Sequence, residues 1–441
     1  MRKQSSLLFA QMLAKNLFII VIASLGVFVF IGYLSTTVAH NSEKIRAHIK
    51  EDIINVVAAR SSGDIHTECL TISGAIAPNN ESRTYILDPK MLVSSDPCVG
   101  LQDTLRDQPN VAWVSYSRYW MGSTFLCLLL LNSFNLSSIH ILYMSLITIS
   151  LALLGVSGFV GLRKDLRIPL LVASVGIYAG IGVRLFGGHI GHSPVYFLSF
   201  FALAALIMVR FKTIGQREAS IIGCVLGSVS GFYDILSGAI PFFAALSLFV
   251  YYLLWKSHAS KESTFKDLFF CVAVLMASYL GAISVILGIK LIGFLTILHR
   301  PDALTDFVTE LALRMSSDGV PGNEASNIFY VFRRLWWNNG NVYIGGQMSS
   351  NVAFLTGALS WALAAILSLI IFIRTRRFDR IMDFVVMLMS SFLIIIWFLV
   401  FRNHGYGHAW FMTRIICIIP TFGIVAALMS GREVFVPRQH Y

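Results

Sequence analysis

A chain of 441 residues in which 56% are hydrophobic and only 13% charged lies far from the roughly one-quarter charge of a soluble domain. Its formal charge of +11 is spread in short basic clusters between apolar runs, a topology signal that argues against a nucleic-acid groove. Apolar runs of the length needed to cross about 30 Å of hydrocarbon recur along the chain, and helices are required there to satisfy the backbone. The expectation is an all-α polytopic membrane protein.

In chain order, residues 1–16 carry Arg2, Lys3 and Lys15 and read as a cytoplasmic N-terminus, with 17–34 as the first transmembrane helix. The run from Ser35 to His40 is similar to a signal-peptidase site. The preceding apolar stretch is longer than a signal peptide's core, which favours an uncleaved anchor.

Residues 35–124 then form a large extracytoplasmic loop. Ten of the chain's 23 acidic residues lie between 35 and 120, so acids excluded from the membrane portion collect here. Within it, Asp64 and Glu68 are four apart, which puts both carboxylates on one face if the run is helical. Two such acids repel as ions, which can hold one protonated and leave the other ready to take a proton. A solvated helical face would look the same.

Of the six cysteines, Cys127, Cys224, Cys271 and Cys417 fall in apolar runs and read as packing residues. Cys69 and Cys98 share the outer loop, where a disulfide can persist. Pairing them would contribute about 3 kcal/mol and hold the turn with Asp64 and Glu68 against Asp96 and Pro97.

Residues 125–298 hold a short apolar piece at 125–131, too short to span, and spans at about 138–162, 168–183, 195–209, 219–232, 240–255 and 268–298. A second extracytoplasmic segment covers 299–349. Residues 350–429 hold the spans 350–373, 384–401 and 411–429, and 430–441 form a cytoplasmic tail. This makes about ten transmembrane helices with both termini inside. The inside segments hold 18 Lys and Arg residues against three in the short outside turns, the asymmetry of the positive-inside rule.

The last outside turn compresses Arg402, His404, Tyr406, His408, Trp410 and Arg414 into a few residues at an interface. Trp and Tyr there are common belt residues, and an interfacial Arg often snorkels. Arg414 falls a helical turn inside the apolar run, where an ionisable group points to function. Guanidinium suits phosphate oxygens, and Arg184, His189, His192, Arg333 and Arg334 lie on the same expected face. The paired histidines could ligate a divalent metal, but the surrounding glycines argue against a preformed site, and no cofactor is expected.

Four runs carry a resemblance: Asp64-x-x-Thr67-Glu68-Cys69, Arg118-Tyr119-Trp120, Gly231-Phe232-Tyr233-Asp234, and Asn403-His404-x-x-x-His408-Ala409-Trp410-Phe411-x-x-Arg414. Together the chain resembles bacterial multi-pass proteins similar to GT-C-type glycosyltransferases that use polyprenyl-phosphate-linked sugars. It departs from that pattern at Met121 and Tyr233.

The resemblance implies a catalytic acid in the first outer loop, where Asp64 and Glu68 sit. It implies a sugar donor on a polyprenyl phosphate, a glycan or lipid acceptor in the cell envelope, and a place in the bacterial inner membrane. Asp64 is expected as the general base, with Glu68 second. Arg402, His404, His408 and Arg414, with Arg118, Arg184, Tyr233 and Asp234, are expected to bind the lipid phosphate and substrate. The acidic turn and the basic cluster are then expected to share one cavity. The alternative is a transporter or flippase of an anionic lipid or polysaccharide, and a polymerase or ligase of surface polysaccharide would share the same donor.

Overall fold

The computed structural model describes residues 42–435 apart from 60–64, 79–86, 89, 95, 108–111, 116–121, 210, 234–237, 261–262, 317–330, 332–349, 377–380 and 408, with scattered helical positions between 11 and 33. Asp64, Arg118, Asp234 and His408 lie outside the described residues, as do Arg333 and Arg334.

The region before the bundle opens with two helices, α1 (Ser42–Ala59) and α2 (Ile65–Ala75), followed by β1 (Lys90–Val93), α3 (Pro97–Leu105), β2 (Ala112–Ser115) and α4 (Gly122–Leu131). The two strands pair antiparallel with Lys90 opposite Ser115. This two-stranded sheet is small, and the described chain is otherwise built of helices and their connections, in keeping with an all-α polytopic membrane protein. Asp96 caps α3 by accepting from the amides of Cys98 (2.8 Å) and Val99 (3.3 Å), and Pro97 fills the first helical position, where its missing N–H costs nothing.

The membrane portion follows as α5 (Leu136–Gly161), α6 (Lys164–Gly180), the single turn α7 (Val183–Phe186), α8 (Ser193–Met208), α9 (Gln216–Tyr233), α10 (Ala239–His258) and α11 (Phe265–Thr296). After α12 (Asp302–Met315) come α13 (Ser350–Thr375), α14 (Met382–Val400), α15 (Arg402–Gly407), α16 (Ala409–Ile416) and α17 (Ile418–Phe435).

Among the described residues, six helical stretches are long and apolar enough to cross a membrane. They are α5, α10, α11, α14, Gly357–Thr375 within α13, and Arg414–Arg432 across α16 and α17. The chain is therefore a polytopic membrane protein with a helical bundle.

Its surface is apolar where a soluble protein's would be polar. Ile141, Ile149, Val156 and Phe159 on α5, and Leu355, Leu359, Leu363 and Ile366 on α13, are exposed, while Ser150, Ser157, Ser247, Ser278 and Ser390 are buried. In lipid the driving force between helices is close packing rather than burial from water. Gly223 and Gly227, one turn apart on α9, accordingly lie against the backbone carbonyls of Leu275 and Tyr279 on α11.

Helix α10 is the most enclosed of the spans. Its last turns are fixed by Asp383 at the start of α14, which accepts from Tyr252 Oη (2.7 Å) and Lys256 Nζ (2.7 Å). A buried carboxylate is tolerable there because it is both paired and hydrogen-bonded.

Candidate functional site

The seam between the outer region and the bundle is built at the start of α5. Asn135 caps the helix by accepting from Ser138 N (3.0 Å), and Asp52 on α1 reaches in to accept from Ser137 N (2.9 Å). His48 on α1 bonds the carbonyl of Leu131 through Nδ1 at 2.7 Å. Both ends of the turn joining α4 to α5 are thus held by α1. These bonds satisfy orphan helix-end groups and set the first turns of α5, including His140.

His140 Nε2 meets Glu68 Oε1 on α2. Glu68 is 1% exposed and His140 5%, so the two form a buried bridge from α2 to the candidate span α5. Asp64, the expected companion of Glu68, lies outside the described residues. A disulfide joins Cys69, the neighbour of Glu68, to Cys98 in the first turn of α3, with Cα atoms 5.1 Å apart. Helix α2 is therefore tied on one side to α3 and on the other to α5.

Around this bridge lie groups that the sequence assigned to packing or left aside. Glu68 acts electrostatically on the Cys127 thiol of α4, and Cys127 and Tyr233 both act on Tyr143 of α5. The backbone carbonyl of Tyr233 accepts from Ser123 Oγ at 3.3 Å. Tyr233, half-buried, packs against the apolar core that holds Cys69, Cys127 and Tyr143, although it is far from α2 in sequence.

The turn between α7 and α8 packs on the other side of α2. Thr71, one turn beyond Glu68, lies where a side chain at Gly191 would have to go. His189 Nδ1 accepts from the amides of Gly191 (3.1 Å) and His192 (3.2 Å), and the two imidazoles stack at 4.4 Å. That acceptor nitrogen is committed to the turn. Among the described residues no three His, Cys, Asp or Glu side chains come together as a metal site.

Phe186, at the start of this turn, lies under Arg414. The guanidinium of Arg414 sits 5.7 Å from the Phe186 ring centroid and 5.2 Å from that of Tyr196, and the residue is 2% exposed. Arginine over two aromatic faces is a favourable cation–π arrangement in a desolvated place. The turn from Phe186 to Gly191 therefore connects the Glu68 helix to Arg414.

The remaining basic residues separate. Arg402 is exposed and its Nε donates to Leu399 O at 3.1 Å. His404 is 5% exposed, and Arg314 Nη1 bonds its Nδ1. Since guanidinium can only donate, Nδ1 of His404 is an acceptor there. Arg314 is itself held by Glu310 at 2.8 Å. Arg184 lies on α7, whose backbone alone is described at that position.

A second charged group ties the strands to the end of α11. Asp88 accepts from Ser115 Oγ and from Lys90 Nζ (2.9 Å), faces Arg300 at 3.8 Å, and acts electrostatically on buried Lys290. Arg300 also pairs with Asp302, and this hydrogen bond holds the Asp302 carboxyl below its ordinary pKa.

Two partners escaped the sequence reading, His140 and Arg314. His140 left a signal, an ionisable residue inside an apolar span. Arg314 left a weaker one, since an acid four residues earlier on a polar helix usually means a solvated pair.

No protein-family model, curated protein or solved structure matches this chain.

Proposed function

We propose that the chain is an integral membrane glycosyltransferase that moves a sugar from a polyprenyl-phosphate-linked donor to a cell-envelope acceptor on the extracytoplasmic face. In this reading it crosses a bacterial inner membrane about ten times with both termini cytoplasmic. The acceptor oxygen attacks the anomeric carbon while the bond from that carbon to the phosphate oxygen breaks. The acceptor's proton passes to an outer-loop carboxylate, and the electron pair of the broken bond stays with the lipid phosphate.

Asp64 is the first candidate for the base and Glu68 the second. Arg414 would bear the leaving phosphate's charge, with Arg402, His408, Arg118 or Arg184 as further donors and Tyr233 and Asp234 on the substrate. His404, whose Nδ1 accepts from Arg314, would contribute by donating from Nε2 rather than as a cation.

The observation that carries this reading is the buried Glu68–His140 bridge at the foot of the outer loop, joined through the turn from Phe186 to Gly191 to a buried arginine. A carboxylate and a cation suited to phosphate, linked through this one turn, are the two halves that glycosyl transfer needs.

A flippase remains the second reading because Lys290 is buried within an apolar helix. Its field partner, Asp88, belongs to the outer segment beside the strands. That puts the lysine near the end of α11 rather than along a transport path.

The test is transfer from radiolabelled polyprenyl-phosphate monosaccharides in proteoliposomes containing the purified protein and an envelope acceptor fraction. Asp64→Asn is expected to lower transfer by about 100-fold or more, the usual scale of a lost general base, with the variant still folded and inserted. Wild-type transfer by both Asp64→Asn and Glu68→Gln would overturn the assignment. Movement of labelled lipid between leaflets without sugar transfer would favour the flippase.

A further inference from the structure

Helix α12 does not behave as an ordinary outer-loop helix. Ala303, Phe307, Glu310 and Arg314 form the stripe turned toward the protein, with Ala303 buried and the other three half-buried. Beside it Leu304, Val308, Leu311 and Met315 fall at spacings of four, three and four, which is one continuous stripe on a helix. Leu304 is 43% exposed, Val308 55% and Met315 45%, with Leu311 half-buried. Asp302, Thr305, Asp306 and Thr309 occupy the far side and are exposed, with exposed Ala312 and Leu313 the apolar residues among them.

Both ends of this helix are fixed at the ends of membrane spans. The chain leaves α11 at Thr296 and reverses through His299, which has φ 50°, while Arg300 N bonds back to Phe294 O at 3.0 Å. At the other end Arg314 holds His404 and the carbonyl of Leu313 accepts from Asn403 Nδ2 at 3.0 Å. These partners lie just beyond Val400, where α14 finishes. A helix of 14 residues is about 21 Å long. Anchored at the ends of two spans, it is held at the level where they leave the hydrocarbon.

We infer that α12 lies along the membrane surface with the Leu304, Val308, Leu311 and Met315 stripe seated in the acyl chains of the leaflet where α11 and α14 end. The occupant of the stripe is lipid hydrocarbon. The water side carries Asp302 and Asp306 rather than a basic rim, so hydrocarbon and not anionic headgroup charge seats the helix. The inference rests on α11 and α14 as membrane spans and is independent of any catalytic role.

Site-directed nitroxides test it in the full chain reconstituted in phosphatidylcholine nanodiscs. The native free cysteines are all buried, so labels at Leu304→Cys, Val308→Cys, Thr305→Cys and Thr309→Cys report on single positions. The expected result is that labels at 304 and 308 collide several-fold more with oxygen than with a water-soluble nickel chelate, with the reverse at 305 and 309. Adding anionic phosphatidylglycerol should leave the contrast unchanged. Equal nickel access at 308 and 309 would put the stripe in water and overturn the inference. Shielding of 304 and 308 from both reagents would overturn it too, because the stripe would then be covered by protein, including a second copy of the chain.

Discussion

At the residue scale, the central feature is the buried contact between Glu68 and His140. Each group has left water, so each depends on the other for the hydrogen bond that makes burial tolerable. Removing either one takes a hydrogen-bond partner away from a buried group. Glu68→Leu or His140→Leu alone is expected to cost about 3 kcal/mol, read as a lower midpoint in thermal unfolding of the detergent-solubilised protein. The double substitution should recover part of that loss, since it removes both members of the pair together. Additive losses in the double variant would show that the two residues do not act on one another. The sequence marked Glu68 by its spacing of four from Asp64 and by its place in the first outer loop, where the resemblance implies a catalytic acid. His140 stood out as an ionisable residue within an apolar span, but its partner lies 72 positions away, and only the fold brings Nε2 to Glu68. Cys69 and Cys98 were legible as a pair for a compositional reason, being the two cysteines outside apolar runs. Arg314 was not legible, because its partner His404 lies 90 positions away.

At the element scale, the bundle depends on how closely α9 and α11 approach. A Cβ added at Gly227 would strike the carbonyl of Tyr279, a backbone atom that cannot swing aside, whereas one at Gly288 on α11 would meet nothing within 4 Å. The same substitution should therefore have opposite signs at the two sites. Gly288→Ala is expected to stabilise by up to about 1 kcal/mol through helix propensity, and Gly227→Ala to destabilise by about 1–3 kcal/mol by overpacking. Unfolding midpoints in one detergent check both, and equal shifts at the two positions would rule out a tight α9–α11 contact as the cause. Apolar run length made the longer helices readable, whereas glycine contacts depend on which helices become neighbours. The strands Lys90–Val93 and Ala112–Ser115 were hidden for a different reason. Each has only four residues; in β1 the middle pair is buried instead of alternating, and β2 alternates over too short a run to stand out.

At the scale of the whole molecule, the two ends of the bundle carry different chemistry. One end gathers Lys256 with Asp383, Arg163 with Asp165, and Arg432 against the Asp165 carbonyl, and these cations lie in segments that the charge count assigned to the cytoplasm. The other carries the disulfide, the Glu68–His140 bridge, the stacked histidines and Arg314. The positive-inside rule predicts the first set in the cytoplasm. Residues 260 and 305 flank α11, so a single crossing by that helix must place them on opposite sides of the membrane. Both are exposed and the native thiols are buried or bonded, which makes cysteine labelling clean. With a membrane-impermeant maleimide, Thr305→Cys should react in right-side-out vesicles and Ser260→Cys only in inverted ones. Reaction of both from the same side would mean that α11 does not cross. A reversed pattern would put the outer loop and Arg414 in the cytoplasm, which would remove the extracytoplasmic transfer reaction while leaving every packing contact unchanged.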